Sequence, residues 1–93
     1  MKLPHSPQHL RRLRNDVDIG NLIADILDLP TKISEDYLRF LCPLCSEFNT
    51  AVNPSTNLAR CFRCQRNFNP IDIVMTVKGV SFLDAVAFLS PLL

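Results

Sequence analysis

The spacing of apolar positions changes along this chain, and each change marks an element. Ser6 followed by Pro7 supplies a cap and a first helical residue for a short basic helix running to about Arg14. From Asp18 as N-cap, Ile19, Leu22, Ile23, Ile26 and Leu27 recur at i, i+3, i+4, i+7 and i+8, one apolar helical face that Pro30 ends. Between Thr31 and Leu41 the period shortens to alternation, with Glu35-Asp36 as a turn and Tyr37 to Leu41 as a strand. Val52 to Pro54 and Leu58 to Phe62 predict two more strands around the turn Ser55-Thr56-Asn57, a small antiparallel hairpin.

Helical spacing returns after residue 64. Asn69 suits the N-cap and Pro70 the first position of a helix over Ile71 to Lys78, with Gly79 supplying the left-handed residue beyond its end. Ile71, Ile73, Val74, Met75 and Val77 leave this helix almost no polar face, which predicts burial against the hairpin and its neighbours. Ser81 caps the next helix, with Asp84 in the place of a capping-box acid, and Phe82, Ala85, Val86 and Leu89 form an apolar stripe up to Pro91. The fold class is α+β: a small antiparallel β-hairpin or sheet flanked by helices. A basic N-terminal segment, 1–15, precedes one domain over 16–93. Phe40, Phe82 and Phe88 are expected in its core.

Ninety-three residues, 47% hydrophobic and 20% charged, fit one small folded domain and exclude a large multi-step enzyme. A core of this size supplies only a few kcal/mol of net stability, and comparable domains often add a disulfide or a metal. No run of 18 apolar residues occurs, and Met1 to Leu10 lacks the apolar core of a secretion signal, so a cytoplasmic protein without a membrane partner is expected. In that reducing compartment the four cysteines point to metal.

Those cysteines stand as Cys42-Pro43-Leu44-Cys45 and Cys61-Phe62-Arg63-Cys64, with fifteen residues between the pairs. Two Cys-x-x-Cys turns brought together by a hairpin suit tetrahedral Zn²⁺, whereas a redox dithiol needs no second pair. Four thiolates close the coordination shell, so one structural zinc is expected and a catalytic zinc is not. His5 and His9 are expected to face solvent and not the metal.

The metal makes the charge distribution informative. Net charge is only +1, but residues 1–15 carry +4, 16–36 carry −5 and 37–69 carry +3. The last of these clusters, Arg39, Arg60, Arg63 and Arg66, surrounds the cysteines. It either compensates the negative zinc–thiolate centre or meets phosphate, and the two uses are compatible. Tyr37, Phe40, Phe48, Phe62 and Phe68 interleave with these arginines. Unpaired bases stack on such rings, so Arg39, Arg60, Arg63 and Arg66 with Tyr37 and Phe62 are the candidate nucleic-acid contacts.

From Val17 to Leu89 the order of elements and motifs resembles the N-terminal zinc-binding domain of bacterial-type DNA primases. Leu41-Cys42-Pro43, Val52-Asn53-Pro54, Cys61-Phe62-Arg63-Cys64, Asn69-Pro70-Ile71-Asp72-Ile73-Val74-Met75 and Gly79-Val80-Ser81-Phe82-Leu83-Asp84-Ala85-Val86 carry the likeness. The resemblance implies a zinc ribbon that recognises single-stranded template DNA and cooperates with a separate catalytic primase domain. Where the family has His as second ligand this chain has Cys45, and zinc accepts either. Ser46-Glu47-Phe48-Asn49-Thr50 replaces a longer arm containing Lys-Thr-Pro-Ser-Phe, and Gln65 replaces a glycine. Primer synthesis in the family requires a metal-binding Glu and an Asp-x-Asp pair. The one Asp-x-Asp here, Asp16-Val17-Asp18, precedes an apolar helix and is expected to cap it. A template-binding zinc ribbon without its own catalytic domain is therefore expected. Its partners would be single-stranded DNA and a catalytic primase or replicative helicase chain. The alternative is an adaptor that docks a primase, helicase or polymerase through the apolar end, Phe88 to Leu93, and the acidic 16–36 region.

Overall fold

The computed structural model describes residues 6–93, so Lys2 and His5 lie outside the described residues. Helix α1 (Pro7–Asp16) leads into α2 (Ile19–Asn21), which continues without a break as a π-helical turn, Leu22–Ile26. Strands β1 (Thr31–Ser34), β2 (Tyr37–Phe40), β3 (Thr50–Asn53), β4 (Leu58–Cys61) and β5 (Arg66–Phe68) follow. Helices α3 (Pro70–Lys78) and α4 (Phe82–Leu89) and a 3₁₀ turn, Ser90–Leu92, complete the chain. The α+β class is as the pattern predicts, with one antiparallel sheet ordered β1-β2 and a second ordered β3-β4-β5.

A buried threonine joins the two sheets. Thr50 is fully buried; its hydroxyl accepts from the Phe40 N–H at 2.8 Å and donates to the Phe40 carbonyl at 2.6 Å. One side chain thus satisfies both backbone groups at the end of β2, which an ordinary ladder partner would otherwise do. Arg39 reinforces the junction by donating from Nη1 to the Thr50 carbonyl at 2.7 Å. Because Thr50 also lies opposite Cys61 in the β3–β4 register, β2 is tied through β3 to the strand that carries the second cysteine pair.

Asn57 makes the second long-range tie. It turns the β3–β4 connection at a φ of 56°, a left-handed value that asparagine tolerates better than most residues. Its Nδ2 donates to the carbonyls of Arg14 and Val17, both at 2.7 Å, and its Oδ1 accepts from the Ile19 N–H at 2.9 Å. The end of α1 and the start of α2 are satisfied by one amide from the hairpin. Leu13, Ile19, Leu22 and Ile23 then share a core with Phe40, Phe68, Ile73, Val74 and Leu89.

Helix α3 is held at both ends as the sequence predicts, and more firmly. Asn69 accepts from the Asp72 N–H at 2.8 Å while the Asp72 carboxylate accepts from the Asn69 N–H at 3.2 Å, a reciprocal capping box. Gly79 ends the helix at a φ of 63°. The helix packs on α4, α1 and β5.

Three expectations need correction. The helix after Asp18 is α-helical for one turn only; the Leu27 N–H donates to the Leu22 carbonyl, five residues back, at 2.8 Å. The wider turn keeps Leu22 and Ile23 inside but leaves Ile26 38% exposed, although Ile26 belongs to the apolar stripe. Phe82 is not a core residue: it is 38% exposed at the first position of α4, and Phe88 is half-buried. Phe68, on the short strand β5 that the pattern does not reveal, takes the central place.

Replacing Thr50 by valine keeps the volume but strips both partners from buried groups of Phe40. Thr50→Val is expected to destabilise the zinc-loaded protein by about 2 kcal/mol, measured by urea unfolding. An unchanged midpoint would show that the junction does not depend on this hydroxyl.

Candidate metal centre and adjoining groove

Each cysteine pair sits on a tight knuckle built the same way. The first follows β2; the second begins at Cys61, the last residue of β4. In each, a backbone N–H points at the first sulfur: Leu44 N to Cys42 Sγ and Cys64 N to Cys61 Sγ, both 3.4 Å. The residue after each second cysteine then reverses the chain in the left-handed region, Ser46 at a φ of 59° and Gln65 at 53°. Gln65 therefore occupies a position whose backbone favours glycine.

The hairpin closes the two knuckles on one another. The four sulfurs all lie within 4.8 Å, with Cys42 to Cys64 at 3.9 Å and Cys45 to Cys61 at 3.6 Å. Zinc–sulfur bonds of about 2.3 Å at tetrahedral angles place sulfurs roughly 3.8 Å apart, so the donor set fits one Zn²⁺. Cys42 and Cys61 are buried, while Cys45 and Cys64 are half-buried. Among the described residues no His, Asp or Glu joins the cluster. His9 is elsewhere: its Nε2 lies 2.9 Å from the Ser90 hydroxyl, and the ring is half-buried between α1 and the chain end, not solvent-facing.

The thiols are poorly disposed to ionise together without the metal. Burial pushes the Cys42 thiol up, and burial followed by the neighbouring sulfurs pushes Cys64 up to about 12. At Cys61 burial acts upward as well. Hydrogen bonds from the Cys64 N–H and the surrounding thiols outweigh it, and the net shift is downward. Four thiolates in this space require a cation to offset their charge, so zinc must displace protons as it binds.

Four of the candidate nucleic-acid residues converge beside this centre. Tyr37, Arg39, Arg60 and Phe62 line a groove of about 450 Å³ across β2, β3 and β4, together with Asn53 and Asn67. Arg60 donates to Asn67 Oδ1 at 3.2 Å and stands 5.7 Å from the Phe62 ring centre. Tyr37 and Phe62 are 50% and 46% exposed. Arg39 is largely buried, its guanidinium committed to the Thr50 carbonyl and 5.8 Å from the Tyr37 ring. Arg63 and Arg66 do not line the groove. Arg63 reaches Glu47 at 3.6 Å, linking the knuckles at the surface, and Arg66 covers the Phe68 ring at 5.2 Å. Asn67, missed from the sequence, lies on the strand that the pattern does not reveal.

Asp16-Val17-Asp18 has the structural role expected of it. Asp18 accepts from the Gly20 N–H at 3.3 Å as N-cap of α2, Asp16 pairs with Arg12 at 3.5 Å, and Val17 is buried. Among the described residues no single helix is long and apolar enough to cross a membrane.

Residues 5–92 match the family model of the CHC2 zinc finger, the DnaG zinc ribbon. A DNA primase of Thermotoga maritima is 30% identical over 79 residues, which cover 83% of this chain and 14% of that protein.

Since bound zinc requires thiolates while Cys42 and Cys64 hold their protons above the ordinary range, protons and metal compete across neutral pH. Zinc affinity is expected to fall steadily from pH 8 to pH 6, with more than one proton released per ion, measured by competition with a chromophoric chelator. Cys61→Ser is expected to abolish stoichiometric zinc. Affinity independent of pH would mean that the thiols are already ionised.

Proposed function

The chain belongs to the CHC2 zinc-finger family, the zinc ribbon of DNA primases, and on that premise we propose that it binds single-stranded template DNA for primer initiation without catalysing synthesis itself. The observation that carries this reading is the groove in which Tyr37, Arg39, Arg60 and Phe62 meet beside the metal centre. Exposed ring faces stack unpaired bases whatever their identity, and a cation between the rings meets the phosphate backbone.

The metal's part is to hold one wall of that groove. Arg60 immediately precedes Cys61, and Phe62 and Arg63 lie between two cysteines, so closing the knuckle fixes where these side chains project. Arg60 is the principal phosphate contact in this arrangement, because Arg39 is engaged with the Thr50 carbonyl. Arg63 and Arg66 would contribute to the surrounding field and meet the strand where it leaves the groove. Asn67 and Asn53 offer amide groups to base edges.

Two features support a binding role over synthesis. The Asp-x-Asp pair is engaged by a helix cap and an ion pair, and four sulfurs leave a zinc no open position for water. A catalytic primase chain, or a replicative helicase that recruits one in the cytoplasm, is the partner this role implies.

Fluorescence anisotropy with a labelled single-stranded oligonucleotide tests the proposal. Binding by the zinc-loaded chain is expected to weaken steeply with salt, the log–log slope changing by about 0.7 for each phosphate contact. Arg60→Ala should lower that slope by about one contact, and Phe62→Ala should cost about 1–3 kcal/mol. Arg66→Ala should have the smaller effect of an arginine outside the groove. Absence of salt-sensitive binding at about 50 mM salt would overturn the reading.

A further inference from the structure

A second groove of about 630 Å³ adjoins the first, shares Tyr37 and Val52 with it, and carries the opposite charge. Asp18, Glu35 and Asp36 line it with no lysine or arginine, whereas Arg39 and Arg60 line the first with no acid. Leu38 and Val52 form its apolar base beside Gly20; a Cβ added at Gly20 would sit 3.4 Å from Leu38 and 3.9 Å from Val52. Ile33, opposite Leu38 in the β1–β2 register, is 71% exposed on its wall.

Asp18 caps α2, but the fold does not account for the two acids at the hairpin tip. Among the described residues Asp36 makes no side-chain hydrogen bond or ion pair, and the 82% exposed Glu35 reaches Arg39 only at 3.9 Å. Both hold positive φ values, 54° and 66°, in a two-residue hairpin turn whose geometry favours Asn-Gly. A carboxylate pair at that tip and a large exposed β-branched residue beside it serve no local packing need.

We propose that this groove docks a basic polypeptide segment with an apolar anchor, supplied by a protein partner. Lysine or arginine side chains would pair with Asp18, Glu35 and Asp36 while an apolar side chain covers Ile33 and Leu38. Charge complementarity selects this occupant. A nucleic acid strand is repelled by three carboxylates, and a polyamine or metal ion leaves the exposed Ile33 and the apolar base without a partner. Attraction at the rim is screened beyond about 10 Å at 0.1 M salt, so it steers the segment and sets its register, and the apolar contact retains it. The proposal stands apart from the nucleic-acid reading and places a protein partner directly beside the basic groove.

The test is an amide-resonance titration of the zinc-loaded, ¹⁵N-labelled chain with a short synthetic peptide alternating lysine and leucine. Parallel titrations use the glutamate–leucine counterpart, spermine and oligothymidylate. The basic peptide is expected to shift resonances of residues 18–20, 33–38 and 52–54 saturably. Glu35→Lys combined with Asp36→Lys, and separately Ile33→Ser, should each weaken it at least about tenfold. These side chains are exposed, and spectra unchanged outside the groove verify that the variants fold. Equal affinity for wild type and variants, shifts lying elsewhere, or equal binding of the acidic peptide would overturn the proposal. So would spermine binding as tightly as the peptide, marking a simple cation site, or oligothymidylate shifting the same residues.

Discussion

Closure of four cysteine sulfurs around one metal is the constraint on which the rest of this small structure depends. The knuckles that supply them are separated by the whole β3–β4 hairpin and come together only when that hairpin is formed. Metal binding in comparable zinc fingers contributes on the order of 10 kcal/mol or more. The core of so short a chain yields only a few kcal/mol net, so the metal decides whether the sheet is populated. The same bonds orient the surface proposed to meet DNA, because Cys61 lies between Arg60 and Phe62 in sequence. Structural metal and adjoining groove are one unit.

Polar side chains distribute that constraint to the remaining elements. Thr50 and Arg39 couple β2 to β3, which brings Tyr37 beside Arg60, and Asn57 fixes the α1–α2 junction against the hairpin tip. Two neighbouring grooves of opposite charge result, one built on β2 to β4 and one between the β1–β2 tip and α2. A near-neutral chain thereby presents a cationic and an anionic surface side by side, which suits two partners held close together.

Local chemistry was legible in the sequence wherever it was encoded within a few residues. The cysteine spacing, the Asn69-Pro70 start and Gly79 each specify their conformation over one turn or less, and these and the Glu35-Asp36 turn all appear where expected. The misses were matters of tertiary context. Strand β5 is three residues long and exists because it returns from the second knuckle onto β4, which no periodicity records. Phe82 fits an apolar stripe by spacing, yet at the first position of α4 it is 38% exposed while Val86 and Leu89 are buried. The arginines looked equivalent by composition; only the fold separates Arg39 and Arg60, which line the groove, the former tied to the Thr50 carbonyl, from Arg63, turned to Glu47. Asn57 carried a turn signal, but nothing in the sequence linked it to the α1–α2 junction.

The central claim is that one metal ion holds both the sheet and the groove proposed to bind single-stranded DNA. The most direct measurement removes zinc in steps with a chelator while following sheet circular dichroism, zinc content and oligonucleotide anisotropy on the same sample. The account predicts that all three fall together, with one zinc per chain, and recover together when zinc is returned. Full DNA affinity in a metal-free chain, or a sheet that persists after the zinc has gone, would contradict it.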